Sequence, residues 1–250
     1  MRALHFAKPL EYRLETAADQ LTQGDTFAGK LMVTNRGEAP LADGVLDIAL
    51  AYGRIRNLKA GEQDAFETVT RHRLAEGLTV APGDAHEAGW EFTLARDCPI
   101  STKEGTLFLL YGGNLDQPQG WGRIDLQVVL HPVLETLVGT IETQFHFEAR
   151  GRKNVADAVE VRFKPPASYP TMKDFYARVA LRGDTLEVTF RAALKSLARG
   201  GAKGVRTRAE QTQRSLAPGA YLIGNAHPDR IAMKALIGEA LRELLPTLAQ

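Results

Sequence analysis

The sequence predicts a mainly β protein, with two β-sandwich domains in tandem and a C-terminal amphipathic α-helix. Three observations lead there. Apolar residues alternate with period two through most of the chain, the signature of strands with one buried face. Turn-forming residues interrupt that alternation roughly every ten residues, as they do in sandwiches. Only near the end does the apolar period lengthen to that of a helix.

The first element read this way is TFAGKLMVT (26–34), where Phe27, Gly29, Leu31 and Val33 share one face. Gly24-Asp25 opens it. Glycine reaches the positive φ that a tight turn needs, and an aspartate side chain bonds nearby backbone N–H groups, which fixes strand register. VLDIALAY (45–52) is more continuously apolar and reads as a strand buried on much of both faces. FETVTRHRL (66–74), WEFTL (90–94), GTLFLLYGG (105–113) and WGRIDLQVVLH (121–131) follow, separated by Asp43-Gly44, Ala81-Pro82-Gly83-Asp84 and Asp97-Cys98-Pro99. After His131-Pro132 the pattern restarts with TIETQFHFEA (140–149), DAVEVRFKP (157–165), FYARVAL (175–181) and TLEVTFRAAL (185–194). The expected organisation is therefore a first sandwich over 1–132 and a second over 133–197. A basic, Gly-rich connection over 198–224 and a terminal helix over 225–250 complete it. In that helix Met233, Ile237, Ala240, Leu241, Leu244 and Leu248 fall on one face, and Pro228 and Asp229 suit its start. Its polar side mixes both charge signs, so packing on the second domain is expected rather than lying on a membrane.

Composition narrows the function classes. Hydrophobic residues at 44% and charged residues at 24% argue for a folded chain. A formal charge of +1 leaves no bulk field for nucleic acid or an anionic membrane, so such a partner would need a local patch. Cys98 is the single cysteine, which excludes an intramolecular disulfide and a Cys-based zinc cluster. MRALHFAK has no apolar run like a signal-peptide core, and no segment approaches the roughly 18–20 apolar residues of a spanning helix. A cytoplasmic location is the expectation.

No catalytic set emerges. His5, His72, His86, His131, His146 and His227 lie in no HExxH or other dense ligand spacing. Cys98 precedes Pro99 with no partner base in view. Asp157 with Glu160, or Asp184 with Glu187, could form the carboxylate pair of a glycosidase, and Trp90 with Trp121 could stack a sugar. Any acid-rich chain offers many such pairs, so a carbohydrate-binding or hydrolytic sandwich is the alternative reading. Neither cofactor nor metal is expected.

The strongest departure from background is positive charge over 191–214. Arg191, Lys195, Arg199, Lys203, Arg206, Arg208 and Arg214 stand against one acid, Glu210. RGGAKG lacks the spacing and terminal Ser/Thr of a phosphate loop. As a cationic loop, Arg199, Lys203, Arg206, Arg208 and Arg214 are the expected contacts for an acidic or phosphorylated protein partner. Nucleic-acid backbone is a further alternative, disfavoured because no aromatics interleave with the charges.

LTQGDTFAGKLMVTN followed by LADGVLDIALAY resembles the start of an arrestin-like amino-terminal domain. VAPGDAHEAGWEFTLARDCPIS (80–101), EGTLFLLYGGNLD (104–116) and WGRIDLQVVLHP continue the likeness. VRFKPPAS (161–168) and GDTLEVTFRA (183–192) resemble the second sandwich of the bacterial sporulation-control subgroup of these proteins. The resemblance spans roughly residues 10–195. It implies a non-enzymatic regulator or adaptor that binds protein partners through concave sheets, edge strands or a basic loop. It supplies no catalytic residues to carry over.

Overall fold

The computed structural model describes all residues except 18–19, 61, 63–64, 117–120, 198–204, 225 and 246–250, together with the side chains of 196, 197, 205 and 206. The chain divides into two compact units, Met1–Ala95 with Pro99–Val129, and Arg96–Cys98 with Leu130–Gln250.

The first unit contains β1 (Arg2–Ala7), β2 (Leu10–Thr16), β3 (Leu21–Thr22), β4 (Thr26–Asn35), β5 (Leu41–Arg54), β6 (Phe66–Val80), β7 (Ala85–Thr93), β8 (Gly105–Gly112), β9 (Trp121–Leu126) and β10 (Val128–Val129). A short helix, α1 (Ile55–Ala60), follows β5. One sheet has the order β1-β2-β4-β7, the other β6-β5-β8-β9, and β3 pairs with β10 in parallel. Period-two burial explains the sandwich. Tyr12, Leu14, Leu31 and Val33 fill one inner face, and Ile48, Leu50, Leu107, Leu109 and Tyr111 fill the other. Ring contacts bridge the two sheets, with His72 4.6 Å from Phe92 and His5 6.5 Å from Tyr111.

The 24–34 stretch behaves as its chemistry dictates. Gly24 sits at φ 92°, and the Asp25 carboxylate accepts from the Thr22 N–H at 2.7 Å. β5 is buried on both faces from Leu46 to Ala51, because Ala49 and Ala51 join Phe108, Leu110 and Leu115 in a second cluster beneath Ile55 and Leu58 of α1. The sequence reading sets no strand before residue 26, whereas β1 and β2 occupy most of 2–16.

The second unit opens with α2 (Pro132–Phe145) and continues through β11 (Glu148–Val155), β12 (Ala158–Lys164), β13 (Met172–Arg182), β14 (Thr185–Leu197) and β15 (Val205–Leu216). After a 3-10 turn come β16 (Leu222–Ile223), β17 (His227–Pro228) and α3 (Arg230–Leu244). Strands β11 to β15 form one antiparallel meander in chain order, and α2 and α3 pack on it and on each other. The aromatic core includes Phe163, Phe175 and Phe190, each 0% exposed.

Two expectations are corrected here. The strand expected from Thr140 is instead the end of α2. Pro132 stands in its first turn, His131 Nδ1 accepts from the Val133 N–H, and Val133, Leu134, Leu137, Val138 and Ile141 recur at helical spacing on the buried side. The hydroxyls of Thr136, Thr140 and Thr143 donate to carbonyls one turn back, so the threonines are accommodated within the helix. His146, at φ 58°, ends the helix. The alternation of Ile141, Thr143, Phe145 and Phe147 crosses that boundary and is not one strand.

The second correction concerns the basic connection. Residues 205–216 form β15, paired with β14 from Leu186↔Leu216 to Leu197↔Val205. Being an edge strand, β15 carries polar side chains on both faces, so it lacks the apolar alternation that betrays a half-buried strand.

The terminal helix follows its sequence signals closely. Asp229 caps it, its carboxylate accepting from the Ile231 and Ala232 N–H groups at 2.9 and 3.1 Å. Met233, Ile237, Ala240, Leu241 and Leu244 are buried on the expected face, and Leu248 lies outside the described residues. Glu243 joins α3 to β15, accepting from Thr212 Oγ1 at 2.7 Å and from Arg214.

That contact makes a pH prediction. Hydrogen bonding from Thr212, aided by Arg214, holds the Glu243 pKa below its usual value, and hydrogen bonding from Arg71 does the same for Asp116. A carboxylate with a depressed folded pKa stabilises above its unfolded value, near 4, and that contribution is lost as pH falls through the folded pKa. Acid unfolding of Glu243→Gln, followed by circular dichroism, should therefore show a flatter loss of stability below about pH 5 than the parent chain.

Candidate functional site

The five-stranded sheet buries one face under α2 and α3, so its other face is polar. Cross-strand register sets the arrangement. Arg162 of β12 lies opposite Tyr176 of β13, which lies opposite Arg191 of β14. One row along, Lys153, Glu160, Arg178 and Thr189 are consecutive neighbours. The Arg191 guanidinium carbon sits 4.4 Å from the Tyr176 ring centroid, a cation–π contact that holds the cation flat on the sheet.

Two carboxylates are set into this surface. Asp174, with its side chain 13% exposed, accepts from Arg162 at 2.7 and 2.9 Å. That bonding raises the Arg162 pKa further. Glu160, 11% exposed, pairs with Arg191 at 3.4 Å, and Lys153 Nζ lies 2.9 Å from its Oε1 without hydrogen-bond geometry. Lys164, Arg178 and Lys195 continue the same face and make no ion pair among the described residues. Six cations thus share a sheet face with two nearly buried acids, Glu160 and Asp174, and with two more exposed ones, Glu148 and Glu187, which pair with Arg150 and Arg182. Such a surface binds anionic groups by charge and by guanidinium hydrogen bonds. Among the described residues it carries no nucleophile poised beside a base.

Of the five sequence-predicted contacts, Arg208 and Arg214 have described side chains. Arg199 and Lys203 lie outside the described residues, as does the Arg206 side chain. Strand alternation places Arg208 opposite Leu194 and Arg214 opposite Val188, on the helix-covered side of the sheet. Arg208 pairs with Glu210, and Arg214 with Glu243. Arg191 and Lys195, from the same basic run, fall on the polar face. Lys153, Arg162, Lys164 and Arg178 are the residues sequence reasoning missed. The signal was present in Glu160-Val-Arg-Phe-Lys164 and Asp174-Phe-Tyr-Ala-Arg178, where charges alternate with core residues.

The other candidates resolve as follows. Cys98 is buried, and burial, with a smaller effect from Asp97, pushes its thiol up to about 12, which leaves little thiolate at neutral pH. Trp90 packs in the sandwich core against Phe27, while Trp121 lies by Phe66 on the outer side of the other sheet, so they share no stacking platform. Asp157 and Glu187 both pair with Arg182, and Asp184 pairs with Arg96. Among the described residues no group of three or more His, Cys, Asp or Glu side chains is placed to hold a metal ion. No helix among them is long and apolar enough to cross a membrane.

Fold and face together define the class, a mainly β protein of two units with a helix-backed sheet. The chain resembles Spo0M, the sporulation control protein from Bacillus subtilis, whose crystal structure aligns with a TM-score of 0.71 at 16% identity, covering 95% of this chain and 100% of that one. That likeness shows the fold. The C-terminal domain of wzt aligns at a TM-score of 0.31 and 11% identity, over 52% of this chain and 79% of that one. A β-glucosidase from Listeria innocua aligns at 0.29 and 10% identity, over 48% of this chain and 16% of that one, and neither of these two bears on function. No family model and no curated protein matches the chain.

Proposed function

We propose that this chain is a non-enzymatic, cytoplasmic regulatory protein of the sporulation-control type, working as an adaptor that holds an acidic segment of a protein partner. The observation that carries this reading is the cationic sheet face around Arg162, Tyr176, Arg178 and Arg191. Full-length likeness in fold to Spo0M supports the regulatory part. The buried, high-pKa thiol and the dispersed carboxylates and tryptophans favour binding over catalysis.

Octaglutamate is a suitable probe, titrated calorimetrically at low and high salt. The combined variant Lys164→Glu and Arg178→Glu removes two cations with no ion pair among the described residues, so its fold is expected to persist. It should weaken binding at least tenfold, and added salt should weaken the parent chain's binding. Arg208→Glu, on the other side of the sheet, should leave affinity within about twofold. If Arg208→Glu abolishes binding and the double variant does not, the contact lies on the β14–β15 hairpin. Duplex DNA binding more tightly than octaglutamate at matched salt would favour the nucleic-acid reading.

A further inference from the structure

A second concentration of charge lies in the first unit, where β5 runs directly into α1. The turn over 101–105 is fastened to that junction. The Ile55 N–H donates to the Glu104 carbonyl at 2.9 Å, and Thr102 Oγ1 accepts from the N–H groups of Glu104 and Gly105 at 3.2 and 3.3 Å. Between turn and helix is an open cleft of about 620 Å³ lined by Arg54, Arg56, Lys59 and Lys103. Two acids, Glu62 and Glu104, share its wall, leaving an excess of positive charge among the described residues.

These four cations are exposed, and none makes an ion pair among the described residues. Elsewhere in this unit Arg2, Arg13, Lys30, Arg36, Arg71 and Arg73 are each matched to an acid. Lys8 and Arg123 are the other unmatched cations of the unit among the described residues, and neither lines the cleft. Charge matching is thus suspended at one concavity, where like charges repel unless a ligand supplies the counter-charge.

We propose that this cleft binds a linear polyphosphate anion, the chain of phosphates in a nucleoside triphosphate or in inorganic tripolyphosphate. The two arginines offer forked donors to phosphate oxygens, and Lys59 and Lys103 act as point charges on either side. Cations carried by both α1 and the turn favour an extended anion over a single phosphate. Among the described residues no aromatic side chain lines the cleft, so the phosphate chain is recognised and a base is not.

The test is calorimetric titration of the full chain with tripolyphosphate, ATP and inorganic phosphate at one salt concentration. Tripolyphosphate and ATP should bind one to one, with affinities within about threefold, and inorganic phosphate at least tenfold more weakly. Lys59→Gln combined with Lys103→Gln should lose at least tenfold, and Arg56→Ala alone should also weaken binding. Arg123→Ala should have no effect. Absence of saturable binding, or an equal loss in Arg123→Ala, overturns the proposal. So does loss in the Lys164→Glu, Arg178→Glu variant with the cleft variants unaffected, because the anion would then sit on the sheet face. ATP binding tenfold or more tighter than tripolyphosphate would overturn the claim that the base is not read.

Discussion

Replacing Phe175 with alanine is expected to lower the unfolding free energy by about 3–5 kcal/mol. Phe175 is 0% exposed and lies at the centre of an aromatic group. Its ring centroid is 4.9 Å from Phe147, 6.0 Å from Phe163 and 5.8 Å from Phe190, the last nearly parallel at 11°. Phe147 belongs to the segment that leaves α2, so the cavity would loosen the sheet and its helical cover together. Urea unfolding followed by tryptophan-independent far-ultraviolet dichroism would measure the loss. Phe175→Leu, which keeps most of the volume, should cost much less. Equal destabilisation by the two variants would contradict the packing described.

Asp47 carries the second large effect. It is 0% exposed in the middle of the apolar run VLDIALAY of β5. Its carboxylate accepts from Arg71 at 2.5 Å, from Arg73 at 3.2 Å and from the Leu115 N–H at 3.2 Å. Arg71 also reaches Asp116 at 2.5 Å. One buried acid therefore ties the edge strand β6 and the loop at Leu115 to the centre of the sheet. Asp47→Ala leaves the Leu115 N–H without this acceptor and leaves Arg71 and Arg73 only their exposed partners, Asp116 and Glu76, and should destabilise by about 2–4 kcal/mol. Both arginines keep access to water, which holds the cost below that of stranding a charge inside. The pair Asp47→Ala and Arg71→Ala should be strongly non-additive in a double-mutant cycle. Additive losses would mean that the bridge contributes little.

Some of these elements are legible in the sequence and others are hidden in it. Phe27, Leu31 and Val33 announce their strand because only one face of β4 is buried. VLDIALAY reads as doubly buried, and Ala49 and Ala51 do meet a second cluster on the outer side. Asp47 was the discordant residue in that run, and its partners lie too far along the chain to be paired by inspection. Helix α3 is legible because cap, apolar stripe and charged face agree. Helix α2 is not, because its threonines and phenylalanine also fit a strand, and the distinction depends on the hydrogen bonds made at His131 and His146. β15 is hidden by its position, since an edge strand can be polar on both faces.

The candidate face shows the same limit in another form. A run of cations over 191–214 is conspicuous in one dimension, yet strand alternation sends Arg191 one way and Arg208 and Arg214 the other. The cations that do converge come from four strands, each contributing one or two. Register makes the surface, and register is a property of pairing that a single chain segment does not reveal.

The proposed function places an acidic segment of a partner on the Arg162–Tyr176–Arg191 face. Its most direct measurement is nuclear magnetic resonance of the labelled chain titrated with octaglutamate, observing arginine side-chain and backbone signals. Saturable shifts are expected at Arg162, Tyr176, Arg178 and Arg191, with Arg208 and Arg214 unmoved. Shifts confined to β15 and α3, or no saturable shift on the sheet face, would contradict it.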